Sequence, residues 1–91
     1  MPKLFSFAEI GTDTPVLSLL ELQKTVMPHI DFHHLSPEIV EVRWRGYMLL
    51  ELDLYKRQAV LMADDHYEQI NNILEFLKCD CKISQGKWVR R

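Results

Sequence analysis

Three histidines within six residues, His29-Ile30-Asp31-Phe32-His33-His34, form the densest run of ligand-type side chains in the sequence. On a helix, His29 and His33 would share one face at i, i+4. That spacing binds zinc, with His34 or a thiolate from Cys79 or Cys81 completing a tetrahedral set. Pro28 stands one residue upstream and disfavours a regular helix, so solvated loop histidines are the plainer expectation. Cys79-Asp80-Cys81 has no second cysteine pair to make a zinc site. A strand would point the two thiols the same way, where a disulfide would be strained, so they read as reduced, inward-facing small apolar groups. Neither cysteine sits at an expected helix N-terminus, where its pKa would fall, so no cysteine nucleophile is proposed. Asp64-Asp65 reads as negative charge at a helix start, and Glu51 with Asp53 as the wet face of a strand. Gly11, Gly46 and Gly86 stand alone, so there is no glycine-rich phosphate loop. The sequence predicts neither an enzyme nor a bound cofactor. Metal binding through His29, His33 and His34 ranks third among the functional readings.

The elements that must position these groups are legible from periodicity. Lys3 to Glu9 reads as a short strand. Thr12-Asp13-Thr14-Pro15 then supplies N-cap side chains and a first-turn proline. A helix follows, with Val16, Leu19, Leu20, Met27 and Ile30 on its buried face, ending near Pro28; His29 to Pro37 is a loop. From Glu38 the period becomes two: Val40, Val42 and Trp44, then Met48, Leu50, Leu52 and Leu54, mark two half-buried strands bent at Gly46. A plain two-residue turn at Arg45-Gly46 would put the two apolar sets on opposite faces, so a longer connection or a bulge is expected.

Residues 57–63 fit either a third strand of a meander or the start of one long helix. The strand is preferred because Asp65-His66-Tyr67-Glu68 has the pattern of a capping box, which starts a helix running to about Lys78. A last strand, Cys79 to Ser84, turns at Gln85-Gly86 and leaves Lys87 to Arg91 as a basic tail. The expected fold is α+β: a small antiparallel sheet in the order strand, helix, three-strand meander, helix, strand. A ferredoxin-like βαββαβ plait is the alternative. With 91 residues and no linker or repeat, residues 1–91 read as a single domain.

Two surface features point to partners. If Leu54 pairs with Ala59, then Leu49, Val60 and Met62 share the outward face of the sheet with Arg43, Glu51 and Asp53. With Tyr55, they form an apolar patch rimmed by charge, which suits either the chain's own helix or a homodimer interface. The second feature is the basic set Arg43, Arg45, Lys87, Trp88, Arg90 and Arg91, which could contact phosphates and stack a base. A net charge of −2 argues mildly against nucleic acid. No run of about 20 apolar residues is present to span a membrane, and the start lacks the character of a signal peptide. The protein reads as cytoplasmic.

Gln58 to Glu68, running into Ile70, Ile73, Leu74 and Leu77, resembles the centre of the Phd/YefM antitoxin family, where an apolar strand runs into an acidic cap, a Tyr-Glu pair and a leucine-rich helix. Phe5-Ser6-Phe7-Ala8-Glu9 is similar to that family's start. The resemblance covers about 20 of the 91 residues. It implies a dimer built on the sheet that binds operator DNA through its N-terminal region and a toxin through a C-terminal extension. The first functional reading is a non-enzymatic regulatory or adaptor module that self-associates and binds a protein partner. The second is a DNA-binding antitoxin or repressor.

Overall fold

A computed structural model describes residues 7–11, 20–24, 28–63 and 65–91. At its centre lies a tight hairpin whose turn residues, Arg45 (φ 51°) and Gly46 (φ 85°), both take left-handed backbone. Positive φ at both positions is the type I′ geometry, whose twist matches that of the flanking strands. Strand β1 is Phe7–Glu9, β2 Ile30–His34, β3 Ile39–Trp44, β4 Tyr47–Asp53 and β5 Gln58–Leu61. They form one antiparallel sheet in the order β1-β5-β4-β3-β2. Helical residues 20–24 belong to α1, α2 is Tyr67–Phe76, and β6 (Cys81–Ser84) pairs with β7 (Lys87–Arg90) in a second, two-stranded sheet.

Of the two expected alternatives, a longer connection or a bulge, the bulge is present. Trp44 faces Tyr47 across the turn and Arg43 faces Met48, but Val42 faces Leu50, so Leu49 is the extra residue on β4. That one insertion returns Leu50 and Leu52 to the side of Val42 and Val40. The inner rows then read His34, Val40, Leu52, Ala59, Ala8 and Phe32, Val42, Leu50, Leu61. Ile70, Ile73, Leu74 and Leu77, spaced three and four apart, share one face of α2 and complete the core with Leu22 of α1, Cys79 and Ile83.

The α+β class and the β5 strand stand as expected, and the long-helix, ferredoxin-like alternative does not form. Four corrections apply. The 29–37 loop contains β2: Ile30 and Phe32 alternate with Asp31 and His33, and Pro28 lies before the strand rather than breaking it. The meander therefore has four strands, β2 to β5. Lys87 to Arg90 is no frayed tail but a ladder partner of β6, through a second turn of two left-handed residues, Gln85 (φ 52°) and Gly86 (φ 77°). Ala59 pairs with Leu52, not Leu54; a two-residue slip preserves the faces of both strands. Finally, no Asp65–Glu68 capping box forms: Asp65 Oδ1 accepts from the His66 N–H at 2.7 Å, and among the described residues α2 has no side-chain cap. The expected strand positions 3–6, helix positions 12–19 and 25–27, and Asp64 lie outside the described residues.

The C-terminus of α2 is closed by backbone alone. The Lys78 N–H donates to Glu75 O (3.0 Å) and the Cys79 N–H to Leu74 O (2.9 Å), with Lys78 left-handed at φ 56°. This is a Schellman motif with lysine where glycine is usual. Gly11 crosses directly beneath it. A Cβ built on Gly11 would lie 2.5 Å from Lys78 O, so only glycine fits the crossing. Asp80 ties the same corner to β1, because its Oδ1 accepts from the Glu9 N–H at 2.9 Å while its own N–H donates to Glu9 O at 3.0 Å. No helix among the described residues is long and apolar enough to cross a membrane.

Candidate functional site: an aromatic and cationic end of the sheet

The 45–46 turn places Trp44 and Tyr47 opposite each other at one end of the sheet. His66, the left-handed (φ 61°) residue that enters α2, packs its imidazole against both rings. Its centroid lies 5.5 Å from Trp44, edge-on at 62°, and 4.6 Å from Tyr47, tilted at 44°. The Arg45 guanidinium sits over Trp44 at 4.9 Å, within cation–π range. His29 joins the group through its carbonyl, which accepts from the Arg45 N–H at 3.1 Å. Tyr67, next to His66 in sequence, reaches the second hairpin: a Cβ built on Gly86 would lie 3.2 Å from the Tyr67 hydroxyl oxygen.

Three loops thus converge on one end: the turn before β2, the 45–46 turn and the entry to α2. Arg45, His29 and Lys87 are exposed, and Tyr47 is 57% exposed. Asp65 and Glu68 add exposed carboxylates on the α2 side. The chemistry on offer is binding. An exposed aromatic face next to cations suits a carboxylate or phosphate carried beside an apolar or planar group. Trp, Tyr and Arg are also the residue types that dominate interface energetics.

The residues expected to form an interface do not gather into an exposed patch. Leu49 is 0% exposed and belongs to the core, because the bulge turns it inward. Val60 does lie on the outer face, paired with Glu51, but only 6% of it is accessible. Met62 is half-buried beyond the end of β5, its N–H donating to Leu49 O at 3.0 Å. Tyr55 is 81% exposed in the β4–β5 turn.

The basic set divides as well. Arg43 bonds Glu41 (3.0 Å) on the outer face, and Arg91 Nε donates to Cys79 O (3.1 Å). Trp88 packs against the core with its indole N–H buried and, among the described residues, without a hydrogen-bond partner, so it is no free stacking platform. Arg45, Lys87 and Arg90 remain exposed.

A strand sends neighbouring side chains to opposite faces, so β2 separates His33 from His34, while His29 sits in the preceding turn. The helical i, i+4 site is absent, and no group of three metal-ligating side chains occurs among the described residues. Burial, aided by Asp80, pushes the Cys79 thiol up to about 12, and burial also raises Cys81. Both thiols are poor nucleophiles at neutral pH.

The ring contacts of Trp44, Tyr47 and His66 escaped the sequence reading. The aromatic pair flanking Arg45-Gly46 was a readable signal, since a two-residue turn sets its flanking residues face to face. The part played by His66, 19 residues beyond Tyr47, was not readable from local pattern. No protein-family model matches this sequence, and neither the curated proteins nor the solved structures searched give a match.

Proposed function

We propose that this chain is a non-enzymatic binding module, regulatory or adaptor in character, that docks a protein partner on the aromatic and cationic end. The observation that carries the reading is the packed group of Trp44, Tyr47 and His66 with Arg45 stacked above it and Tyr47 left open. The rings support one another, so Tyr47 can bury its free face on binding with little loss of side-chain freedom. The partner segment that suits this surface carries a carboxylate beside an apolar residue.

Protein is favoured over nucleic acid by the charge layout. Arg43 and Arg91 are already engaged, and the sheet's outer face carries Glu9, Asp31, Glu41, Glu51 and Asp53, which would repel a polyanion. Operator binding of the antitoxin kind would draw on Arg45, Lys87 and Arg90, and is tested in the same experiment. Peptides selected from a displayed random library on the wild-type chain are expected to be acidic and to lose binding to an Arg45→Ala/Tyr47→Ala variant. Equal selection on both proteins would overturn the reading. Retention on duplex DNA that falls steeply with salt would replace it with the nucleic-acid one.

A further inference from the structure

We infer that β2 is the seam of a homodimer, formed by antiparallel pairing of Ile30–His34 with the same strand of a second copy. Among the described residues, β2 is an edge of the five-stranded sheet. The bonds Arg45 N–H to His29 O and Leu35 N–H to Ile39 O fix the ladder phase: residues 29, 31, 33 and 35 bond to β3, and residues 30, 32 and 34 point their N–H and C=O groups outward. Among the described residues, only the Ile30 carbonyl has a partner on that side, the Gln23 amide at 2.9 Å. The strand has no proline, lysine or bulge to protect the edge, which are the usual devices against pairing.

The sequence of β2 is complementary to itself in one register. Centring the two-fold axis on Phe32 pairs Phe32 with Phe32 and Ile30 with His34 as hydrogen-bonded pairs, the His34 N–H of the second copy taking the place of the Gln23 amide on the Ile30 carbonyl. It sets Asp31 opposite His33 of the second copy in the closer, non-bonded position. Because Glu41 flanks His33 and Arg43 flanks Asp31 on β3, the outer face then reads Glu41, His33, Asp31, Arg43 across the seam, twice by symmetry. Acidic and basic side chains alternate throughout. Moving the axis to Asp31 sets carboxylate against carboxylate, and moving it to His33 leaves Asp31 without an opposite residue in β2. The self-paired strand closes with two-fold symmetry, so association stops at two copies. This surface meets the Tyr47 end at Ile30, which pairs with Trp44, but it does not depend on the function proposed for that end.

Sedimentation equilibrium over a concentration series is expected to show the 10.8 kDa chain giving way to a species of twice that mass. Asp31→Lys and His33→Glu each set like or unmatched groups against the seam and are expected to weaken association about tenfold. Mixing the two variants restores it, since the introduced lysine then faces the introduced glutamate while His33 faces Asp31. His34→Pro removes an outward amide hydrogen without touching the ladder to β3 and is expected to give a monomer with an unchanged circular dichroism spectrum. Arg45→Ala/Tyr47→Ala stays dimeric. A wild-type chain that remains monomeric to its solubility limit overturns the inference. So does a dimer indifferent to folded seam variants, or a mixture that fails to recover.

Discussion

Leu49 separates two accounts of the sheet sharply. Plain alternation along β4 would leave it on the wet face, where truncation to alanine changes stability by no more than about 0.5 kcal/mol. The bulge instead buries it completely, in the same core as Leu50 and Leu61. Leu49→Ala would then remove three buried carbons and leave a cavity, at a cost of about 3 kcal/mol within the range of 2–5 for such sites. In a domain of this size each kcal/mol moves Tm by about 4–8 °C, so thermal unfolding should fall by about 12–24 °C. Tyr55→Ala, at an 81% exposed position of the adjoining turn, is the control and should move Tm by only a few degrees. Denaturant titration with unchanged m-value would confirm that the folded state alone has lost stability. A Leu49→Ala cost below about 1 kcal/mol would refute the bulge as the device that fills the core.

Three further outcomes follow from the C-terminal half. Lys78→Gly relieves left-handed backbone at the end of α2 and should raise stability by about 0.5–1 kcal/mol; a lowered Tm would contradict the Schellman assignment. Cys79, raised to about 12 by burial, should resist iodoacetamide at pH 7.5 in the native protein and react once denatured, read by mass spectrometry; rapid native labelling at that residue would show it exposed. The Asp80 carboxyl is held below the usual carboxylate range chiefly by the Glu9 N–H. A depressed folded pKa contributes stability that is full above the unfolded value of about 4 and lost as pH falls through the folded one. Asp80→Asn, which keeps an acceptor but does not titrate, should therefore show a shallower loss of denaturant midpoint between about pH 5 and pH 2; parallel curves would remove the carboxylate from that role.

Strong local periodicity made some elements readable. The β3 and β4 alternation, the need for a bulge or a longer connection where its phase changes, and the strand at residues 58–61 all came from pattern, because each buries a long apolar set. β2 was hidden for the opposite reason. Only two apolar residues, Ile30 and Phe32, stand on its inward face beside His34, Pro28 precedes it, and the histidine spacing mimics a helical site. β7 was hidden because Lys87 and Arg90 suggest a solvated tail, while the deciding feature is a turn that pairs Trp88 with Ile83. The candidate site was half readable: Arg45 stood out by charge, but its setting required α2 to return His66 to a hairpin some 20 residues earlier. The outward patch failed because burial of Leu49 and Val60 depends on the bulge and on packing outside the pattern of any single strand.

The central claim is that recognition takes place on the end built from Trp44, Arg45, Tyr47 and His66. Amide and aromatic chemical-shift mapping, with an acidic peptide selected on the wild-type chain, addresses it most directly. The account predicts perturbations concentrated at residues 29, 44–47 and 66–67, with residues 31–34 of β2 and the β4–β5 turn silent. Shifts centred on Tyr55 or on β2, with the Trp44 and Tyr47 ring signals unmoved, would contradict it.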